Sequence, residues 1–229
     1  MKKRNIKAVL FDMDGVLFDS MPYHATAWHE VMQAHGLDLS RKEAFMHEGR
    51  TGAGTINIVC RRQWNREATQ EEIEQIYAEK SEAFRRFPEP DRMSGALELL
   101  EKVKRSGRVP MLVTGSGQRS LLDRMEQSFP GIFSPERMVT AYDVKRGKPD
   151  PEPYLMALEK GGFRADEALV VENAPLGVQA AVAAGVFTIA VNTGPLEDEV
   201  LMEAGADVLY PSMQTLCDGW EALIAKLSE

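Results

Sequence analysis

The chain has 229 residues, 44% of them hydrophobic and 27% charged, with a formal net charge of −8. This composition excludes collagen-like, disordered and disulfide-scaffold chains, and the acidic balance argues against a nucleic-acid or anionic-membrane partner. The length leaves room for a core plus an inserted lobe, and with no apolar run near the roughly 20 residues of a membrane span a cytoplasmic protein is expected.

In chain order, the apolar run 7–11 predicts a strand that gives out on Asp12 and Asp14, after which Gly15 turns the chain. Strand side chains alternate with period two, so the two carboxylates can lie on one side of the backbone with a reacting group between them. Asp19-Ser20-Met21-Pro22 predicts a helix start, with a capping side chain and an early proline. Ala25, Trp28, Val31 and Met32 then recur at helical spacing up to Gly36, and no strand is expected before about residue 88. Within this stretch Thr69-Gln70-Glu71-Glu72 is a capping box, opening a helix whose apolar stripe is Ile73, Ile76, Tyr77 and Phe84. All four histidines, His24, His29, His35 and His47, fall in it. The two cysteines, Cys60 and Cys217, have no CxxC spacing and are expected to be small buried residues.

From about residue 91 helices alternate with short apolar runs. Helices are predicted at 94–106, 118–128, 153–160, 175–184 and near 199, and strands at 109–113, 138–140, 168–171, 187–191 and 207–210. Apolar strands with helices between them require a parallel sheet covered on both faces. The fold class is therefore α/β, a doubly wound, Rossmann-like core (1–18 and 90–229) with an inserted all-helical cap (19–89).

Ligands of such sheets bind beyond the carboxyl ends of the strands, and the conspicuous polar groups fall there: Asp12 and Asp14, Thr114-Gly115-Ser116, Lys148, and Glu172-Asn173. Carboxylates crowded on one rim repel by about 4 kcal/mol per pair at ~4 Å and an effective dielectric of ~20, so the cluster needs a cation. The hard oxygen set of Asp12, Asp14 and Asn173 suits Mg²⁺, and Lys148 supplies a second positive charge. Thr114 and Ser116 offer hydroxyls and N–H groups where a helix start also favours an anion. A carboxylate nucleophile, a metal, a lysine and an N–H cradle together describe phosphoryl transfer through an aspartyl-phosphate. Taken singly each group has a bland reading as a turn, a surface lysine or a calcium loop. The last fails because the stretch follows a strand and has Tyr23, not glutamate, at the twelfth position.

Asp12-Met13-Asp14-Gly15-Val16, Thr114, Gly147-Lys148-Pro149-Asp150-Pro151 and Glu172-Asn173 resemble, in order and over essentially the whole chain, the four motifs of the haloacid dehalogenase-like superfamily. The position of the insert resembles the cap of its β-phosphoglucomutase-like subgroup. The resemblance implies Asp12 as nucleophile and Asp14 as general acid/base with its main-chain carbonyl on Mg²⁺. It also implies Thr114 and Lys148 on the transferring phosphate, and Glu172 and Asn173 on the metal. Dehalogenases and phosphonate hydrolases of the superfamily lack an acid equivalent to Asp14, which points here to phosphate esters or anhydrides. The subgroup usually has aspartate where Asn173 stands, and Glu48 is a candidate to restore the missing charge on cap closure.

On the cap, Lys80 lies on an apolar stripe and is expected to point into the cleft rather than snorkel. Arg50, in the small-residue loop 48–55, can fork onto a second phosphate, and His24 sits one turn past the hinge. His29, His35 and His47 are expected to be structural. The positions of His24, Arg50 and Lys80 resemble the sugar-bisphosphate grip of β-phosphoglucomutases. Met21-Pro22-Tyr23-His24, His47-Glu48-Gly49-Arg50-Thr51-Gly52 and Glu172-Asn173-Ala174-Pro175 resemble instead the inorganic pyrophosphatases of that subgroup. Pyrophosphate is therefore the first expectation, a β-phosphoglucomutase the alternative and a non-catalytic binding module the remote one. A monomer is expected.

Overall fold

The structure, a computed structural model, describes residues 3–116 and 124–228. Six parallel strands form one sheet: β1 (Ala8–Phe11), β2 (Val109–Val113), β3 (Met138–Val139), β4 (Ala168–Glu172), β5 (Phe187–Val191) and β6 (Val208–Tyr210). The helices are α1 (Met21–Ala34), α2 (Arg41–Met46), α3 (Gly52–Trp64), α4 (Gln70–Arg85), α5 (Ala96–Arg105), α6 (Met125–Ser128), α7 (Glu152–Gly161), α8 (Pro175–Ala183), α9 (Asp198–Glu203) and α10 (Met213–Ser228). This is the Rossmann-like α/β fold that the strand and helix pattern predicts.

The strand order is β3-β2-β1-β4-β5-β6, with Ala8 of β1 level with Val109 on one side and Ala168 on the other. The order therefore reverses at β1, and the crevice past its carboxyl end is where a doubly wound sheet takes a ligand. Every residue of β1, β4 and β5 is buried. Alternate side chains serve opposite faces. Val9, Phe11, Leu169 and Val171 pack with α5 and α10, whereas Ala8, Leu10 and Val170 pack with Tyr154 and Ala157 of α7 and Ala180 of α8.

Most predicted boundaries differ from the observed ones by a residue or two, and three stretches need comment. Thr140 leaves β3 because its N–H and hydroxyl both donate to the Asp143 carboxylate, at 2.8 and 2.9 Å. The helix expected over 118–128 lies partly outside the described residues, which show α6 alone. The stretch 48–55, expected to be a loop, becomes helical at Gly52, where the Thr51 hydroxyl accepts the Gly54 N–H. Helix α10 has no counterpart in the sequence reading. Its residues Leu216, Trp220, Leu223 and Leu227 are buried against the core.

Between β1 and β2 the chain leaves the sheet and returns by two adjacent crossings. Asp19 N–H donates to the Asp91 carbonyl and Met93 N–H to the Leu17 carbonyl, both at 2.9 Å, so the way out and the way back are stitched together. Beyond this stitch α1 packs on α2 and α4, and α3 packs on α4. The capping box at Thr69 forms, with reciprocal bonds of 2.7 and 3.2 Å to Glu72. We treat 19–89 as a cap over a core formed by 1–18 and 90–229.

Candidate active site

β1 hands the chain straight to the site. Asp12 N–H continues the ladder to the Val171 carbonyl at 3.0 Å, and a tight turn follows in which Leu17 and Phe18 N–H donate to the Met13 carbonyl at 2.9 and 3.0 Å. Gly15 has φ +81°, and a Cβ there would lie 2.0 Å from Asn173 Nδ2. Conformation and contact thus both demand glycine. The Thr193 hydroxyl, from the loop after β5, donates to the Gly15 carbonyl at 2.6 Å and pins the turn.

Lys148 is 1% exposed, and its ammonium donates to Asp12 Oδ1 at 2.6 Å, Glu172 Oε1 at 2.5 Å and the Val113 carbonyl at 3.1 Å. Glu172 Oε1 also accepts the Tyr154 hydroxyl at 2.7 Å, and Oε2 faces the N–H groups of Asn173 and Ala174 at 3.1 and 3.4 Å. Glu172 was expected on a metal. With both oxygens engaged by Lys148, Tyr154 and the backbone before α8, we assign it instead to holding Lys148. Burial pushes the Asp12 carboxyl up to about 8, with Glu172 and Asp14 adding to the rise and Lys148 opposing it. Burial disfavours the Lys148 ammonium, but Asp12 and Glu172 outweigh it and hold the group charged above its usual range. One lysine does not fully neutralise this cluster, so a further cation would favour the Asp12 carboxylate.

On the cap side, Asp14 Oδ1 accepts the Ser20 hydroxyl at 2.6 Å and lies 3.2 Å from His24 Nε2. Lys80 Nζ lies 2.6 Å from His24 Nδ1. An ammonium can only donate, so with Lys80 charged Nδ1 accepts and the imidazole proton sits on Nε2, facing Asp14. Burial alone would raise the Asp14 carboxyl, but His24, Ser20 and Lys80 bring it below its ordinary value. Burial and then Lys80 lower His24. Lys80 is 3% exposed, between the Trp28 and Phe84 rings, and burial brings it down to about 7 against the pull of Asp14.

Glu48 is buried and accepts the Asn173 amide N–H at 3.0 Å, so a cap carboxylate reaches the last core motif. Burial, then the charge on Asp12, push it well above the usual carboxylate range. Two buried polar atoms here, Asn173 Oδ1 and Arg50 Nε, have no hydrogen-bond partner. Among the described residues no three His, Cys, Asp or Glu side chains are arranged to hold a metal by themselves. The orphaned amide oxygen of Asn173, whose amide group packs against Gly15, is with the carboxylates of Asp12 and Asp14 the kind of hard-oxygen donor that suits Mg²⁺.

The core rim contributes Asp12, Asp14, Thr114, Gly115 and Ser116 to the wall of one cavity, and the cap contributes His24, Glu48, Arg50 and Lys80. Lys148, Glu172 and Asn173 do not line that wall; Lys148, held by Glu172, reaches Asp12 from outside it. The Ser116 N–H donates to Thr114 Oγ1 at 2.9 Å, leaving the Thr114 hydroxyl proton free to face an anion. Of the histidines set aside as structural, His29 binds the Leu39 carbonyl and His35 binds Glu79, both at 2.7 Å, whereas His47 reaches the cavity wall. Sequence reasoning gave no role in the site to Tyr154, Thr193, Trp28 or Tyr77, and it took Ser20 for a helix cap. Ser20 does precede α1 but makes no capping bond with its side chain, which serves Asp14.

A family model described as haloacid dehalogenase-like hydrolase matches residues 9–191. The chain belongs to this family. Among relatives of this haloacid dehalogenase-like hydrolase, Hexitol phosphatase A of Escherichia coli is 35% identical over 188 residues, covering 81% of this chain and 83% of that one. The Phosphorylated carbohydrates phosphatase of Thermotoga maritima is 33% identical over 218 residues, covering 92% and 97%. A solved structure from Bacteroides vulgatus, described as a candidate β-phosphoglucomutase, is 62% identical with a TM-score of 0.96, covering 99% and 92%. The protein is a phosphotransferase enzyme of the haloacid dehalogenase-like type, akin to sugar phosphatases and β-phosphoglucomutase-like proteins.

Proposed function

We propose that the chain is a Mg²⁺-dependent phosphohydrolase that works through an aspartyl-phosphate on Asp12, with inorganic pyrophosphate as its substrate. The observation that carries the substrate choice is the cavity. Its wall gathers His24, Arg50 and Lys80 from the cap with Asp12 from the core, a density of polar and cationic donors suited to a small polyanion. The unpartnered Arg50 Nε supplies a donor where a second phosphate would lie.

In this reading the Asp12 carboxylate attacks phosphorus and the bridging P–O bond breaks, its electron pair staying on the leaving oxygen, which takes a proton from Asp14 as inorganic phosphate departs. Thr114 and the N–H groups around Gly115 and Ser116 hold the non-bridging oxygens, and Lys148 balances charge on Asp12 and the transferring group. Water then attacks the aspartyl-phosphate while Asp14, aligned by Ser20 and His24, takes its proton, which restores Asp12 and releases the second phosphate. Asp12, Asp14 and Asn173 would hold Mg²⁺, with Glu48 adding negative charge from the cap. When bound, the ion would offset the charge gathered between carboxylates and phosphate.

A second reading, a sugar-phosphate phosphatase, is favoured by the names of the relatives and by Trp28 and Tyr77, two aromatic rings on the cavity wall. A mutase is favoured by the description of the Bacteroides vulgatus structure. The binding-module reading has no support, since the family is enzymatic. A phosphate-release screen with Mg²⁺ across pyrophosphate, hexitol phosphates and hexose phosphates separates the rest. Pyrophosphate should give the highest kcat/KM. A larger value for a hexitol or hexose phosphate would replace it with the second reading. Interconversion of β-glucose 1-phosphate and glucose 6-phosphate with little phosphate release would establish the third.

A further inference from the structure

The cap segment 49–51 rests on the core at points where the core offers no side chain. A Cβ built on Gly115 would lie 2.3 Å from the Gly49 carbonyl oxygen. One built on Gly147 would lie 2.6 Å from Thr51 Cγ2 and 3.1 Å from the Thr51 nitrogen. Carbon atoms in ordinary contact sit about 3.5–4.0 Å apart, so either methyl would lift the segment by about 1 Å. Neither Gly115 nor Gly147 has a positive φ. Any L-residue could adopt the backbone there, so what the glycines provide is room.

These two positions bracket the phosphate site, since Gly115 follows Thr114 and Gly147 precedes Lys148. The height at which the segment rests therefore sets the depth of the cavity. The segment also carries Arg50, whose guanidinium would move with it.

We propose that Gly115 and Gly147 are specificity-determining residues: bare of side chains, they let the cap segment 49–51 seat directly on core backbone and hold the closed cavity to the depth of a two-phosphate anion, too shallow for a phosphorylated hexose. This rests on the pyrophosphatase reading and adds to it the feature that makes the site selective. A lifted seat withdraws Arg50 from the second phosphate and at the same time makes space above the first.

The test compares kcat/KM for pyrophosphate and glucose 6-phosphate, at saturating Mg²⁺, in the wild type, Gly115→Ala, Gly147→Ala, and Gly147→Ala combined with Thr51→Ser. A displacement of this size costs about 10- to 100-fold, so pyrophosphate hydrolysis should fall by that factor in each alanine variant. Glucose 6-phosphate hydrolysis should fall much less, moving the ratio at least tenfold. Thr51→Ser deletes the methyl that the new Cβ meets and keeps the hydroxyl that caps α3. It should restore part of the loss in Gly147→Ala, and in a parallel double variant nothing in Gly115→Ala, whose obstacle is a backbone oxygen. Circular dichroism confirms folding, and either alanine variant suffices if the other fails to fold. Equal losses on both substrates, no loss, or equal rescue of both variants would overturn the proposal. A wild type that releases no phosphate from pyrophosphate refutes the underlying reading alone. The seat is then judged by the activity ratio between the smallest and largest phosphates hydrolysed, and an unchanged ratio in the variants refutes it separately.

Discussion

Lys80 is a cation buried at 3% exposure against His24 and the Trp28 and Phe84 rings, with Asp14 behind His24, and its ammonium is brought down from 10.5 to about 7. A shift of that size corresponds to about 5 kcal/mol of folding free energy, at about 1.4 kcal/mol per pH unit. The unfolded chain binds the proton below about 10.5 and the native chain only below about 7. Between these values the unfolded state therefore holds more protons, and stability rises with pH. Below about 7 both states are protonated and the penalty is constant. Asp12 changes charge in the native state near 8, so the clean window is pH 8 to 10. Denaturant unfolding of the wild type and Lys80→Met across that window should show their stability difference moving by about 1.4 kcal/mol per pH unit in favour of the wild type as pH rises. Other titrating groups are common to both proteins and cancel. An oxyanion such as vanadate held in the cavity should flatten the slope, because it restores a partner for the charged form. A difference that stays constant from pH 8 to 10 without ligand would refute the claim that Lys80 is a strained, anion-seeking cation.

Ser20→Ala removes a hydroxyl that bonds Asp14 and caps nothing. It should cost about 1.5–3 kcal/mol, as for any donor taken from a buried carboxylate, shift the acid limb of the pH–rate profile upward and lower kcat severalfold, whereas a pure helix cap would leave both kcat and the acid limb alone. Tyr154→Phe deprives buried Glu172 of a 2.7 Å donor. A loss of about 1.5–3 kcal/mol by denaturation, with a fall in kcat larger than any change in KM, is expected from a bond to a charged group that aligns Lys148. Glu48→Gln should raise the Mg²⁺ concentration needed for half-maximal rate by several-fold, and an unchanged requirement would confine Glu48 to contact with Asn173.

The sheet was legible because β1, β4 and β5 are buried on both faces, and double burial writes an uninterrupted apolar run that no exposed strand shows. Asp12, Asp14 and Glu172-Asn173 were legible because they stand at the ends of β1 and β4. What was not legible depends on contacts between distant parts of the chain. Helix α10 carries its apolar positions at helical spacing, but Gly219 interrupts it, and only the structure shows the Tyr210 ring packed where a Cβ would sit, 3.2 Å away. The stretch 48–55 looked like a loop because of its glycines. Gly52 begins α3 all the same, with the Tyr77 ring 2.3 Å from the position of its absent Cβ. Tyr154 read as an ordinary apolar helix position, since nothing local announces that its hydroxyl meets Glu172. Ser20 is the opposite case: its local pattern was right for a cap, and a carboxylate six residues earlier took the hydroxyl.

The central claim is that Asp12 carries the phosphoryl group. The wild type is mixed with pyrophosphate and Mg²⁺, quenched in acid during turnover, treated with hydroxylamine and digested for mass spectrometry. A hydroxamate on Asp12 alone, lost in Asp12→Asn together with phosphate release, is the expected result. Turnover with no modified carboxylate, or with the label on Asp14 or Glu172, would contradict the account.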